Sequence, residues 1–333
     1  MTEAMPPVPV PVASRVLAQS GLTRVRGWIG LPAGVVLVLI VGSILSDKFL
    51  SVSNLTNVLI SMSIVGLIVV GMTFVFISRG LADLSVPATV GLGGILVLGL
   101  QPSLGSLVAG IVGVLAAAVA GFINGGLIGW ARVNPVIATL AVGTIVLGVA
   151  QAFVGGVIVY GTDTATQDFI NSRILGGVPV IVLIFLSVAA LGHILLSRTT
   201  IGRYTYAVGS NPAASEASAV PVKFTRAFAF LLTGALGGFA GVILGLSLQT
   251  ARPTLGIGYE FDAITAVVVG GVSLLGGVGS IPRAMTGLLF VQLLTNIMVL
   301  QGVPSPVQGI AKGAMIAGAV ALDVYLRRRG GTQ

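Results

Sequence analysis

Between residues 28 and 326 the chain is a succession of apolar runs separated by short polar breaks. Each run is close to the length of about 20 residues that a helix needs to cross the hydrocarbon of a membrane. Backbone groups in lipid find no water to bond, so such runs fold as helices packed on one another. Ten candidate segments result, at 28–45, 55–77, 84–100, 107–130, 135–159, 178–196, 228–248, 264–275, 285–300 and 307–326. The eighth is too short to span alone, and Gly270, Gly271, Gly276 and Gly277 punctuate it, which suits a tilted, broken or re-entrant piece. The expected fold is all-α: a polytopic membrane helical bundle occupying 28–326, between a flexible cytoplasmic N-terminal tail (1–27) and a cytoplasmic C-terminal tail (327–333). A glycine-rich helix, a break at Asn134-Pro135 and a second helix recur around Pro304-Ser-Pro306. That echo suggests two five-helix halves of opposite orientation, the inverted repeat common in transporters.

Composition narrows the function. Charged residues are 8% of the chain and hydrophobic ones 55%, against roughly 25% charged in soluble domains, so an ordinary globular enzyme is excluded. No cysteine is present and His193 is the one histidine, which removes disulfides, thiolate metal sites and any His-built metal or catalytic cluster within the chain. The net charge of +8 records orientation in a membrane rather than affinity for nucleic acid. With both termini inside, Arg15, Arg24, Arg26, Arg79, Arg132, Arg198, Arg203, Lys223, Arg226, Arg283 and Arg327 to Arg329 face the cytoplasm. Lys48, Arg173, Arg252 and Lys312 fall on or near the outer side.

That bias places the polar interruption at 197–226 in the cytoplasm. Within it Asn211 is a helix cap, Pro212 a first helical residue, and Pro221 a stop about two turns on. A short helix of small residues outside the membrane implies that something soluble docks there. No Gly-x-x-x-x-Gly-Lys-Ser/Thr loop occurs, and the nearest glycine turn, Gly276-Gly-Val-Gly-Ser280, has no following lysine. No nucleophile–base pairing supports an enzyme. An ATP requirement would therefore be met by another chain.

Few ionisable groups lie near the membrane. Asp83, in Arg79-Gly-Leu-Ala-Asp83-Leu-Ser85, reads either as the cap of a helix starting near Leu84, paired with Arg79, or as an ion or proton site. Glu260 and Asp262 precede the short eighth segment and read as helix caps or as a gate near the outer mouth. Lys312 lies about a turn inside the last span, from where its ammonium can snorkel outward. Asp323 and Arg327 are spaced for a surface pair, and His193 reads as interfacial. Asn124, Asn134, Thr139, Gln292 and Asn296 are polar side chains that either bond between helices or line a path for a polar solute.

The motifs themselves carry a resemblance. Asn54-Leu-Thr-Asn-Val-Leu59, Gly71-Met-Thr73, Asp83-Leu-Ser-Val86, Gly121-Phe-Ile-Asn-Gly125, Pro135-Val-Ile-Ala-Thr-Leu140, Thr200-Ile-Gly-Arg203 and Ala207-Val-Gly-Ser-Asn211 occur in order. They lead to the most specific block, Gly256-Ile-Gly-Tyr-Glu-Phe-Asp-Ala-Ile264, followed by Val267-Val-Val-Gly-Gly271 and Gly276-Gly-Val-Gly279. The chain resembles the integral-membrane permeases of bacterial ABC importers, in the branch serving ribose, xylose and related sugars. The resemblance implies a multi-pass inner-membrane subunit paired with a second permease copy or paralogue. It further implies ABC ATPase subunits holding ATP and magnesium, an extracytoplasmic solute-binding protein, surrounding membrane lipids, a small polar solute, and no cofactor on this chain. The family's ATPase-engaging loop maps onto 200–220, with a coupling helix at 212–219 and Gly202, Arg203, Asn211, Pro212, Ala213, Ala214 and Glu216 as coupling residues. Asn124, Thr139, Glu260, Asp262 and Asn296 are then candidates for the pathway or gate.

Departures from the family pattern concern the cargo more than the fold. Leu81-Ala-Asp83-Leu-Ser-Val-Pro87 stands where Gly-Ile-Asp-Leu-Ser-Val-Gly is usual. Pro87 falls in the first helical turn, where its missing N–H costs little. Ala219 replaces a usual glycine, and Thr265 a usual alanine. A monosaccharide or related polyol is the expected solute. A nucleoside, a furanose-derived signal or a branched-chain amino acid moved by the same machinery is the alternative. An ion-coupled secondary transporter using Asp83, Glu260 or Asp262 and a passive facilitator are rivals of other classes.

Overall fold

The computed structural model describes residues 30–174 and 176–330, with side chains as far as Ala321. The expected N-terminal tail, the Asp323–Arg327 pair and the side chains of the C-terminal tail lie outside this. The elements run α1 (Gly30–Leu45), α2 (Val52–Ile77), α3 (Val86–Gly129), α4 (Pro135–Val154), β1 (Val159–Tyr160), α5 (Thr164–Asn171), β2 (Arg173–Ile174), β3 (Val178–Pro179) and α6 (Val180–Arg198). They continue through α7 (Thr200–Ser210), α8 (Pro212–Ala217), α9 (Val222–Leu248), β4 (Thr250–Ala251), α10 (Tyr259–Val269), α11 (Ile281–Leu300) and α12 (Ser305–Gly330). Helices α2, α3, α4, α6, α9 and α11 are long and apolar enough to cross a membrane. Among the described residues the strands form two small antiparallel pairs, β1 with β4 and β2 with β3, so the protein is an all-α membrane protein.

Local chemistry sets the boundaries. Gly105, at φ 74° and ψ 160°, breaks α3 just after Pro102 and turns the chain back, giving two limbs. Asn134 accepts from the N–H of Val136 at 2.9 Å and starts α4, which Gly155 ends in a left-handed cap. The expected eighth segment is shifted: α10 begins at Tyr259, after Gly258 at φ 96°, and ends at Gly270 before the left-handed Gly271. Residues 270–280 form glycine turns outside it. The helix expected near Leu84 begins at Val86, with Pro87 in its first turn as anticipated.

At the centre, α2 is buried almost all round through Leu67, Ile68, Met72, Phe74 and Phe76. By contrast α4 exposes Ile137, Leu140, Ile145 and Val149, an apolar surface suited to lipid rather than water. Small residues let α3 and α9 touch backbone to backbone: a Cβ on Gly121 would lie 2.3 Å from the carbonyl oxygen of Phe230, and one on Gly234 would lie 2.5 Å from that of Ala117. Likewise α10 and α11 cross at Gly287, whose added Cβ would meet the carbonyl oxygen of Ala266 at 2.1 Å. Helix α1 and Phe49 form a second cluster with Leu293 of α11.

With 27 residues, α9 is about 40 Å long, and its ends mark the two ends of the bundle. Its start adjoins α8, and its last turn adjoins α5 through Ser247. Two helix starts lie between these ends. The segment before α10 meets the start of α3, where a Cβ on Gly91 would strike the Pro253 carbonyl and one on Gly256 the Pro87 carbonyl. The first limb of α3 and the 11-residue α10 therefore begin side by side, and α10 is too short to span alone.

Candidate functional site

The polar interruption folds as two helices. Thr199 caps α7, which sequence reading missed because its few apolar residues are scattered in a polar stretch. Its buried residues Gly202, Thr205, Val208 and Gly209 form one face. Gly202 packs inward, since a Cβ there would meet the Leu196 carbonyl oxygen at 2.0 Å. Arg203 lies on the exposed side and donates to Thr200 Oγ1 at 2.9 Å. Asn211 ends α7 and caps α8, its Oδ1 accepting from the Ala214 N–H at 3.1 Å, and Pro212 is the first helical residue as read from sequence. The expected coupling helix is two residues too long: α8 ends at Ala217. Ser218 closes it by donating its N–H to the Ala214 carbonyl, and Ala219 is left-handed at φ 59°. That conformation accounts for the glycine common at this place. Ala213, Ala214 and Glu216 are exposed on α8.

This hairpin of helices is clamped to the core. Arg79 donates through Nε to the Leu275 carbonyl at 2.6 Å and through Nη2 to the Ser210 carbonyl at 3.1 Å. The Gly277 N–H bonds the Ile77 carbonyl at 2.9 Å, and Tyr206 Oη donates to the Gly279 carbonyl at 2.8 Å. Burial pushes the Tyr206 hydroxyl above its usual pKa, with Arg283 acting in the opposite direction, so it stays a donor. The end of α2, the end of α7 and the turn joining α10 to α11 are thus bonded to one another. Arg79 does not pair with Asp83, contrary to the sequence expectation, because its guanidinium is spent on these carbonyls.

Asp83 is fully buried. Its Oδ1 accepts from the Ser85 N–H at 2.9 Å and the Ser85 hydroxyl at 2.5 Å, while Ser85 Oγ accepts from Asn124 Nδ2 at 2.8 Å. This trio pins the start of α3 to its own second limb. Asp83 Oδ2 and Asn124 Oδ1 are left without a partner, so the motif forms a buried polar knot at the interior break rather than a simple cap.

The second acidic motif behaves differently. Glu260 Oε2 accepts from the Gly258 N–H at 2.9 Å, a capping role. Asp262 forms an ion pair with Lys312 of α12 at 2.5 Å. Lys312 therefore does not snorkel outward: a nearby carboxylate on α10 offers more than the longer reach to water. Of the remaining pathway candidates, Thr139 is buried and spends its hydroxyl on the Pro135 carbonyl at 2.8 Å, within its own helix. Asn296 exchanges two amide bonds with Asn54, at 2.8 and 2.9 Å, tying α11 to α2. Among the described residues no group of three or more His, Cys, Asp or Glu side chains is placed to hold a metal.

Sequence reading also missed the network at the α5 end. Asp163 caps α5 by accepting from the Thr166 N–H at 3.0 Å and the Thr166 hydroxyl at 2.5 Å, and it takes the Ser106 hydroxyl at 2.5 Å. Those donors hold its carboxyl down at about 2. Gln101 bonds Thr162 and Ser106, and Gln249 Nε2 bonds the Asp163 carbonyl. The local signal was Asp163 three residues before Thr166, a cap-and-first-turn pattern.

Comparison with known proteins agrees with this arrangement. Residues 54–320 match the family described as "Branched-chain amino acid transport system / permease component". A ribose import permease protein of Bacillus subtilis is 39% identical over 293 residues, covering 87% of this chain and 90% of that one. A ribose import permease protein of Haemophilus influenzae is 36% identical, with coverage of 92% and 94%. A D-allose transport system permease protein of Escherichia coli is 32% identical, with coverage of 86% and 88%. No solved structure matches the chain. With a match reaching from α2 to α12, this chain belongs to the family of transport-system permease components that includes the ribose import permeases.

Proposed function

We propose that this chain is the membrane-spanning permease subunit of an ATP-driven importer for a monosaccharide, seated in the bacterial inner membrane with both termini in the cytoplasm. Relatives named for ribose and D-allose support the sugar class. Without a phosphate-cradling loop in the chain, hydrolysis falls to separate ATPase subunits that bind ATP and magnesium. A second permease copy completes the pathway, and a solute-binding protein delivers sugar at the α5 end.

The observation that carries this reading is the clamp around Arg79. A short helix of small exposed residues, α8, sits on a platform bonded directly to α2 and to the turn after α10. Closure of the ATPases pushes on α8, and the clamp passes that movement to α10, whose first turn holds Asp262 against α12. Alternating access follows, with the sugar shifting the equilibrium only by its differential affinity for the two states. The ten-segment topology fits if the two limbs of α3 count separately and α10 counts as a part-length segment. An inverted repeat would pair α3 lying along α9 with α10 and α11 lying along α2, although the first contact is much the more extensive. The facing breaks at the starts of α3 and α10 suit a neutral polar solute, because broken helices free backbone groups for hydrogen bonds.

Of the three carboxylates an ion-coupled carrier could use, Asp262 is paired with Lys312 and Glu260 bonds its own helix start. Asp83 gives Oδ1 to Ser85 and keeps Oδ2 unpartnered, so Asp83 is the one on which that reading would rest. The test is uptake of labelled ribose and D-allose into proteoliposomes containing this chain, its ATPase and its binding protein. Uptake that requires ATP and the ATPase supports the proposal, and uptake by this chain alone refutes it.

A further inference from the structure

Beside α8 lies a cavity of about 480 Å3, bounded by the α2–α3 turn, the α3–α4 turn, α8 and the first turns of α9. Four cations line it, Arg79, Arg132, Lys223 and Arg226, with Glu216 as the single acid. Among the described residues none of the four forms an ion pair, since the pair that does form is Lys312 with Asp262, elsewhere. Arg79 is turned to the carbonyls of Leu275 and Ser210, so its charge is not neutralised. The Nε–H of Arg226 is buried with no acceptor. Arg79, Arg132 and Lys223 are exposed and Arg226 is partly buried; like charges gathered in one concavity repel, and an anion among them relieves that repulsion.

We infer that this cavity is a binding site for a phosphate group. The choice among anions follows from donor count. Arg132 and Arg226 offer two guanidinium forks and Lys223 an ammonium, more donors than the two oxygens of one carboxylate accept. A phosphate presents several oxygens and takes guanidinium forks in bidentate fashion. The backbone around the cavity is unusual as well: Arg79, Leu81 and Arg132 all sit at positive φ, between 55° and 62°. Strain of this kind is kept where the surroundings hold side chains in a required direction. Two sources of phosphate suit the place. One is an anionic phospholipid headgroup, since basic pockets between helices on the cytoplasmic side take such groups. The other is a soluble phosphate compound. Glu216 joins this cavity to α8, so occupancy bears on the surface proposed to meet the ATPase. The site itself does not depend on that proposal.

The test uses the full chain purified in a neutral detergent, with labelled inorganic phosphate measured by equilibrium dialysis. Saturable binding of one phosphate per chain is expected, weakening as salt rises. Binding falls at least about tenfold in the Arg132→Gln, Arg226→Gln double variant. Because that variant risks misfolding, Glu216→Gln supplies a second arm: removing the opposing charge tightens binding severalfold. Arg198→Gln, at the end of α6 and away from the cavity, leaves it unchanged. Phosphatidylglycerol in nanodiscs that displaces phosphate, where phosphatidylcholine does not, identifies the lipid headgroup as occupant. Phosphate retained in phosphatidylglycerol identifies a soluble ligand. Both results support the site. Absence of phosphate binding, or equal loss in Arg198→Gln, overturns it. So does a double variant that binds phosphate normally but loses its co-purifying ATPase, because the cations then serve a protein partner's carboxylates.

Discussion

At the end of the bundle that carries α5, Asp163 accepts from Ser106 and twice from Thr166, and Gln101 and Gln249 bind the chain on either side of it. At the end that carries α8, Arg132, Lys223 and Arg226 face a common cavity with one acid among them, and a short helix of alanines stands exposed. Both ends are polar and both are built from residues far apart in sequence. At the α5 end Asp163 is closed in by its own fold while Asp168, Arg173 and Arg252 stand singly exposed, whereas at the α8 end several cations share one cavity beside exposed small side chains. Like charges held together repel, which is why the clustered cations, rather than the scattered ones, are the place proposed for an outside group.

The largest expected effect comes from breaking the seam that joins the two ends. Gly121→Val puts a branched side chain against the Phe230 carbonyl, and overpacking here costs about 3 kcal/mol or more. Size-exclusion profiles in detergent should show loss of monodisperse protein at both ends together. Next is Arg79→Ala, which removes the bonds to Leu275 and Ser210 without demanding a new backbone shape. The fold should persist while ATP-dependent uptake falls about tenfold, the effect of roughly 1.4 kcal/mol, with the ATPase still bound.

At the opposite end, Asp163→Asn should lower the melting temperature without uncoupling transport. Its carboxyl sits at about 2, below the ordinary 3.8. A folded-state value lowered in this way gives stability that is fully present above the unfolded value and is lost as pH falls through the folded one. The stability gap between wild type and Asp163→Asn should therefore be constant near neutrality and shrink between pH 3.8 and about 2. The smallest effect is a gain. Ala219 is left-handed, and Ala219→Gly should stabilise by about 1 kcal/mol, read as a slight rise in melting temperature with transport unchanged.

What the sequence made legible follows from locality. Asn211 and Pro212 announce α8 because cap and first turn are adjacent residues, and Pro87 and Asn134 place helix starts for the same reason. The longer apolar runs locate α2, α6 and α11 to within four residues, but start α9 six residues late, at 228 rather than Val222, and run α4 five residues too long. The end of α8 was misread because Pro221 looked like the stop, whereas the left-handed Ala219 ends it sooner. Partners across the fold were not legible. Lys312 finds Asp262, Asn54 finds Asn296, and Arg79 finds backbone carbonyls that no side-chain pattern reveals. Helix α7 was hidden because its buried face is mostly glycine, threonine and one valine, residues that read as loop until α2 and α6 are packed against them.

The central claim is that α8 is where an ATPase grips this chain. The chain has no cysteine, so single cysteines carrying a photo-crosslinker can be placed at Ala214 on α8 and at Ala165 on α5, both exposed. In membranes that also contain the ATPase, Ala214→Cys should crosslink to it and Ala165→Cys should not. Crosslinking from position 165, or its absence at position 214 in a complex that hydrolyses ATP and transports sugar, would contradict the account.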